Sequence, residues 1–369
     1  MEKESLIKNS YDMMYLAGCA VNNEIPDKQK INSMNLNELF RVCQGNSLTA
    51  CVAYALESAG IANNNFTQAK AKSIRKNILF DAERKKILKR FEEEKIWYMS
   101  LKGALLKEIY PKIGMRQMSD NDILYDAQFR NKVRDIMTNL GFKCQHFGKG
   151  NDDAYFKEPI FNFEMHHRLF SESSPLLNDY YKNIKKHLIK SDNYEYHFSN
   201  EDFYIYMIAH EYKHYSLYGT GVRSLLDTYV FLKFHNNSLD FNYINNELRK
   251  MNINEFEVKN RELAFKVFSN KKLTSKEADM LNYYIFSGTY GTFETKVKND
   301  INKTSKKSTY IFRRIFPPMS EIKVSFPFFY RYKILIPVLL FIIRPIKALT
   351  VKRTQLKNEI KILKKIDKN

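Results

Sequence analysis

Two carboxylates stand two residues apart at the head of an apolar run, Asp120-Asn121-Asp122-Ile123-Leu124. On a β-strand, side chains two apart point to the same face. The run folds as a strand only if one face enters a core while the other gathers like charges. Two carboxylates on one face repel each other unless a cation sits between them. Hard oxygen ligands favour Mg²⁺, and Mg²⁺ usually comes with substrate phosphates. The stretch therefore predicts a metal-dependent phosphoryl or nucleotidyl transfer site.

A third carboxylate lies in Ile160-Phe161-Asn162-Phe163-Glu164-Met165-His166. Phe161, Phe163 and Met165 share one face, and Asn162, Glu164 and His166 the other. A half-buried strand puts the first set in the core and aims Glu164 at a cleft. Other strand-like runs surround it. Residues 96–101 are aromatic and aliphatic, ending at Lys102-Gly103. Residues 104–110 read as a short helix stopped by Pro111, with Arg116 in the loop that follows. Residues 120–125 form the second strand, and 127–140 a helix closed by Gly141. Residues 142–147 and 154–157 pair around a turn at Gly148-Lys149-Gly150-Asn151-Asp152.

Helices flank this segment. Residues 1–95 carry apolar residues at helical spacing, with Ala71, Ile74, Ile78 and Ala82 as one inward stripe and Leu88 and Phe91 as another. Residues 203–218 and 222–234 predict a helical hairpin around Gly219-Thr220-Gly221, and 242–270 and 275–286 continue the helices. Residues 287–318 are polar and basic and read as a long loop. The tail is apolar to Ile343, then basic and amphipathic, with Leu356, Ile360 and Leu363 at helical spacing. The expectation is an α+β chain with a small mixed β-sheet. It divides into a helical region 1–95, a catalytic core 96–199, a helical region 200–290, and a basic loop and tail 291–369.

At 369 residues and 44% hydrophobic, the chain can bury a real core. Its net charge of +19 attracts polyanions, although Lys, Asn and Ile are abundant together throughout. Residues 344–369 alone hold nine basic side chains against two acidic ones. That tail suits an anionic membrane surface or nucleic acid. Cys19, Cys43, Cys51 and Cys144 lack zinc-knuckle or redox spacing and read as reduced thiols, so the expected location is cytoplasmic. Residues 334–343 are too short to span a bilayer and contain Pro337, so no transmembrane segment is expected.

Asp120, Asp122 and Glu164 together make a candidate cage for two Mg²⁺ ions. One ion lowers the pKa of an acceptor hydroxyl, and the other holds a triphosphate. Arg116 offers a planar fork for phosphate oxygens. Lys102-Gly103 offers a close backbone approach at a helix N-terminus plus a point charge. His210-Glu211-Tyr212-Lys213-His214 is the sharpest rival, because His-Glu-x-x-His on a helix suits a zinc hydrolase. No third ligand stands in a recognisable setting, and Arg223–Asp227 reads as an i,i+4 ion pair. Sugar-nucleotide glycosyltransferases also use Asp-x-Asp, but they need several β-α-β units before it.

The order of these motifs resembles the nucleotidyltransferase superfamily, and more closely a bacterial family with Leu-Lys-Gly, Arg and Asp-Ile-Asp-Leu. The matching stretches are Leu101-Lys102-Gly103, Tyr110-Pro111, Arg116, Ser119 to Leu124, and Phe163 to Leu169. Further matches are His210 to His214, Arg223 to Asp227, Gly288-Thr289-Tyr290-Gly291 and Phe316-Pro317-Pro318, so the resemblance spans roughly residues 75 to 345. It implies a polymerase-β-like core with metal at Asp120, Asp122 and Glu164. Lys102, Gly103, Arg116, Ser119, His210 and Lys213 would hold the NTP. Ala104 stands where many members have a phosphate-touching Ser, and Asn121 replaces an apolar residue. The implied reaction moves NMP to an acceptor hydroxyl on RNA such as tRNA, on protein or on a small molecule. A toxin-like tRNA-modifying enzyme and an inactive nucleotide- or membrane-binding module are the remaining alternatives.

Overall fold

The computed structural model describes residues 2–148, 150–236, 238–304, 306–350 and 352–366; Lys149 of the expected turn and Asp367 and Lys368 of the tail lie outside them. The chain forms two compact units, Met1–Tyr212 with Thr220–Thr289, and Lys213–Gly219 with Tyr290–Asn369.

The first unit is α+β. Its sheet comprises β1 (Tyr98–Ser100), β2 (Asn121–Tyr125), β3 (Lys143–His146), β4 (Asp152–Lys157) and β5 (Phe161–His166), in the order β1-β2-β5-β4-β3. β2 and β5 run parallel and the other pairs antiparallel, so the sheet is mixed. A short hairpin of β6 (Leu188–Lys190) and β7 (Tyr196–Phe198) forms a second sheet, and its turn meets β1 where the Tyr98 N–H donates to the Tyr194 carbonyl at 3.0 Å.

Strand alternation divides the sheet's two faces. Ile123, Tyr125, Phe163 and Met165 enter a core with Ile87 and Phe91 of the helix Asn64–Glu93 and Val133 and Met137 of the helix Arg130–Asn139. On the other face, Leu124 joins a second core with Tyr204, Tyr206 and Ile208 of the helix Asn200–Leu217. Asp122, Glu164 and His166 occupy that same face, where the apolar packing gives way to charge.

The helix Asn64–Glu93 does not bury the stripe expected of it. Ile78 is 52% exposed, and Ala71 and Ala82 are exposed as well. The inward positions are Ser73, Asn77, Phe80, Glu83, Ile87 and Phe91. Ser73 and Asn77, with half-buried Lys76, hold a loop, while Glu83 pairs with Lys157 of β4. Ser73 Oγ donates to the Gly114 carbonyl at 2.8 Å, and Lys76 Nζ to the Ser119 carbonyl at 3.1 Å. Gly114, at φ +80°, passes so close that a Cβ would sit 2.7 Å from Ile74. Helix and loop together fix the approach to β2.

Two further expectations are corrected. The helix expected over 242–270 is two, Phe241–Lys250 and Asn254–Phe268. They are separated at Asn252, which takes the left-handed conformation that Asn tolerates. Residues 287–318 are largely helical in the second unit, as Phe293–Thr304 and Lys307–Ile315. The pairs Glu294–Lys298 and Lys296–Asp300, each at 2.8 Å and four residues apart, support the first of these helices along with buried Val297. In the same unit the carboxylate of Glu359, on the tail helix Arg353–Ile366, accepts from Tyr310 Oη at 2.6 Å and Arg314 Nε at 2.8 Å.

Candidate functional site

Asp122 and Glu164 are register partners across the parallel pair β2 and β5, and His166 follows on the same face. His166 Nε2 lies 3.6 Å from Asp122 Oδ1 and 3.8 Å from Glu164 Oε2. Ligand atoms of the three residues all lie within 4.8 Å of one another. Asp122 Oδ1 and His166 Nε2 are buried, and among the described residues neither has a hydrogen-bond partner. Leaving a buried polar atom unpaired costs about 1–3 kcal/mol. A divalent cation, which takes carboxylate and imidazole ligands together, fits these donors.

The expected cage was Asp120, Asp122 and Glu164. Asp120 precedes β2 by one residue and, among the described residues, is not one of the three mutually close ligands. It remains part of the same field. Burial and then the Asp122 charge raise Asp120 above the usual carboxylate range. Burial, Asp122 and Asp120 push Glu164 up to about 7. Burial pushes on Asp122 too, but His166 and Lys102 face it and hold it low. His166 moves upward because Asp122, Asp152 and Glu164 outweigh its own burial. Carboxylates thus crowd one another beside a single imidazole, and a bound cation would relieve them.

The helix Asn200–Leu217 adds Tyr206 and His210, whose rings lie 6.2 Å apart. The Tyr206 hydroxyl titrates well above its usual value, through burial and the nearby Asp122, Glu164 and Asp120 charges. Lys102 Nζ sits 2.8 Å from His210 Nδ1 and 2.9 Å from Nε2. Lys102, on the one-turn helix Lys102–Leu106, also lowers Asp120 and Asp122. Gly103 next to it admits a neighbour, since a Cβ there would meet Met118 Cε at 3.0 Å and Arg116 Nη1 at 3.3 Å.

Arg116 does not present its fork to the cleft. Its Nε and Nη2 donate to the two oxygens of Asp227 at 2.8 and 2.9 Å, and Tyr110 Oη donates to the same carboxylate at 2.8 Å. Arg116 is 8% exposed. Asp227 is therefore taken by Arg116 and Tyr110, and the expected Arg223–Asp227 ion pair does not form. Arg223 Nη1 donates instead to the Gln117 carbonyl at 3.3 Å and Ser119 Oγ at 3.5 Å.

The zinc arrangement also fails on geometry. Glu211 is buried, and its carboxylate accepts from Tyr284 Oη at 2.9 Å and Asn260 Nδ2 at 3.0 Å. A glutamate locked in a core network is not poised to act as a base on zinc-bound water. Among the described residues His210 and His214 join no metal-ligating group. Lys213 falls in the second unit.

Three contributors escaped the sequence, Lys76, Asn151 and Tyr206, and Arg223 was read only as a partner of Asp227. Tyr206 was within reach, because it stands one helical turn before His210. Asn151, whose Nδ2 lies 3.3 Å from His166 Nδ1, comes from an irregular turn that carries no periodic signal.

The family described as uncharacterised nucleotidyltransferase matches residues 32–269. The match begins before the motifs that carried the resemblance and stops short of Gly288 to Gly291 and Phe316 to Pro318. No curated protein matches the chain. The crystal structure of an antigenic nucleotidyltransferase-like protein from Paracoccidioides brasiliensis aligns at 14% identity and a TM-score of 0.30. It covers 51% of this chain and 91% of that one.

Proposed function

The chain belongs to the uncharacterised nucleotidyltransferase family, and from that premise we propose that it transfers NMP from an NTP to an acceptor hydroxyl and releases pyrophosphate. The observation that carries this is the pairing of Asp122 with Glu164 across parallel strands, with buried Asp122 Oδ1 and His166 Nε2 facing each other at 3.6 Å and lacking a hydrogen bond among the described residues. Asp120, Asp122 and Glu164 would hold Mg²⁺ through oxygen, and His166, with Nε2 3.6 Å from Asp122 Oδ1, would orient that carboxylate. When bound, the metal supplies charge for the triphosphate and for the acceptor oxygen.

The protein's own groups divide the remaining work. Glu164, on the strand face it shares with His166 and opposite Asp122, accepts the acceptor's proton. The acceptor oxygen forms a bond to the α-phosphorus as the bond to the bridging oxygen of the β-phosphate breaks. Lys102, supported by His210, offsets charge on the triphosphate. Arg116 and Asp227 position the segment from Gly103 to Ser119 from below. The net charge of +19 favours a polyanionic acceptor such as tRNA as a second, narrower reading.

The test is incubation of the protein with each α-labelled NTP and cell extract in Mg²⁺. One NTP should deliver label to an acceptor, and the Asp122→Asn variant should deliver none. Absence of transfer with all four NTPs, together with no Mg²⁺-dependent NTP binding, would leave a silent module in place of an enzyme.

A further inference from the structure

The second unit exposes far more apolar surface than its own small core explains. Its buried side chains include Val297, Tyr310, Ile322 and Leu339. Between residues 311 and 349 it leaves Phe312 62%, Ile334 88%, Phe341 65%, Ile346 57% and Leu349 64% exposed. Part of this surface is continuous. The Phe312 ring lies 5.2 Å from Phe316, and Phe316 lies 6.0 Å from Phe341. Exposed apolar patches of this kind mark interaction sites.

Charge identifies the partner. Residues 310–353 hold nine basic side chains and one acidic one, Glu321. A second copy of the chain would bring two such basic faces together, which repels. A nucleic acid would meet the lysines and arginines but leave Ile334, Phe341 and Ile346 in water. An anionic bilayer face satisfies both, taking the apolar side chains below the headgroups and the cations at their level. We propose that the second unit docks peripherally on an anionic phospholipid surface.

Two further observations agree. No single helix among the described residues is long and apolar enough to cross a membrane, but Lys333–Leu349 and Arg353–Ile366 together match a membrane segment in length and composition, with a 94° bend between them. An apolar arm turning sharply into a basic amphipathic one suits a segment lying in the interface. A cavity of about 490 Å³ in the same unit lies among Phe326, Leu340 and Leu356, with Arg344, Lys347 and Lys352 also lining it. Arg344 Nη1 is buried there with no hydrogen-bond partner among the described residues. Glu321 and Glu359 line it as well, but Glu359 is already held by Tyr310 and Arg314, so the cations outnumber the free carboxylate and a phospholipid phosphate fits beside Arg344 with a chain against the apolar wall.

The test is flotation of the full-length protein with vesicles of phosphatidylcholine alone and of phosphatidylcholine with phosphatidylglycerol. Binding should require phosphatidylglycerol. Phe341→Asp with Ile346→Asp should weaken it at least about ten-fold at an unchanged melting midpoint. Lys347→Glu with Lys352→Glu should do the same without touching an apolar side chain. Three outcomes would overturn the proposal. The first is no binding to either vesicle. The second is binding that salt abolishes but the Asp variants leave intact, which is adsorption of a basic protein. The third is a concentration-dependent dimer, or RNA binding, that both variant pairs abolish while their vesicle binding stays at the parent level.

Discussion

Burial and the Asp122 and Asp120 charges push Glu164 up to about 7, above its ordinary 4.5. A carboxyl raised in this way contributes its stability fully below its ordinary value and loses it as pH rises through about 7. Glu164→Gln should therefore melt higher than the parent at pH 8 in EDTA and close to it at pH 4. It should also lose the upward shift that divalent cation gives the parent at pH 8. Calorimetry with and without Mg²⁺ reads both, and a lower midpoint for the variant at pH 8 would contradict the assignment. Asp122→Asn removes a carboxylate proposed to hold the metal. Metal stabilisation of a transferring phosphoryl group is worth several kcal/mol, so NMP transfer should fall about 10³-fold or more. Circular dichroism should show the fold intact. Asp122 and Glu164 were legible in the sequence because strand alternation is local and places carboxylates on a face without knowledge of the partner strand. That His166 Nε2 would stand closer to Asp122 than to Glu164 was not legible, because it depends on the register between β2 and β5.

At the scale of elements, a buried Arg116–Asp227 pair ties the loop before β2 to the helix Val222–His235. Asp227 titrates low: burial opposes this, but the Arg116 guanidinium overrides it. Breaking a buried pair from one side leaves an uncompensated charge, so Asp227→Ala should cost about 3–5 kcal/mol in urea unfolding. Replacing both partners with apolar residues should recover much of that loss. The second lever is Glu211 on the helix Asn200–Leu217, which burial pushes up to about 7. Its contribution is also full below 4.5 and lost as pH rises through about 7, an effect of about 3 kcal/mol. Glu211→Gln should flatten the fall in unfolding midpoint between pH 5 and pH 8, and an unchanged slope would count against it. These features explain what the sequence withheld. Arg116 and Asp227 are distant in sequence, and both residues had nearer plausible partners. The helix Asn64–Glu93 buries Ser73, Asn77 and Glu83, and hydropathy counts such residues as surface. Residues 293–315 looked like a loop because few of their side chains are apolar. Their helices rest on ion pairs and on buried Val297 and Tyr310.

Across the whole molecule, the mixed sheet and its flanking helices follow from alternation and helical spacing, and the family match lies within the chain that builds them. The basic excess belongs to this scale. If the acceptor is a polyanion, its apparent affinity should fall steeply with salt while that of the NTP falls less, as steady-state kinetics at two ionic strengths would show. An acceptor affinity indifferent to salt would exclude nucleic acid. The fate of the two ends of the triphosphate tests the chemistry most directly. The protein is given its preferred NTP labelled at the α-phosphorus in one reaction and at the γ-phosphorus in another. Attack at the α-phosphorus predicts α-label on the acceptor, γ-label in free pyrophosphate, and loss of both signals in Asp122→Asn. Label from the γ-phosphorus on the acceptor, or release of pyrophosphate that Asp122→Asn leaves unchanged, would contradict the assignment of Asp120, Asp122 and Glu164 to nucleotidyl transfer.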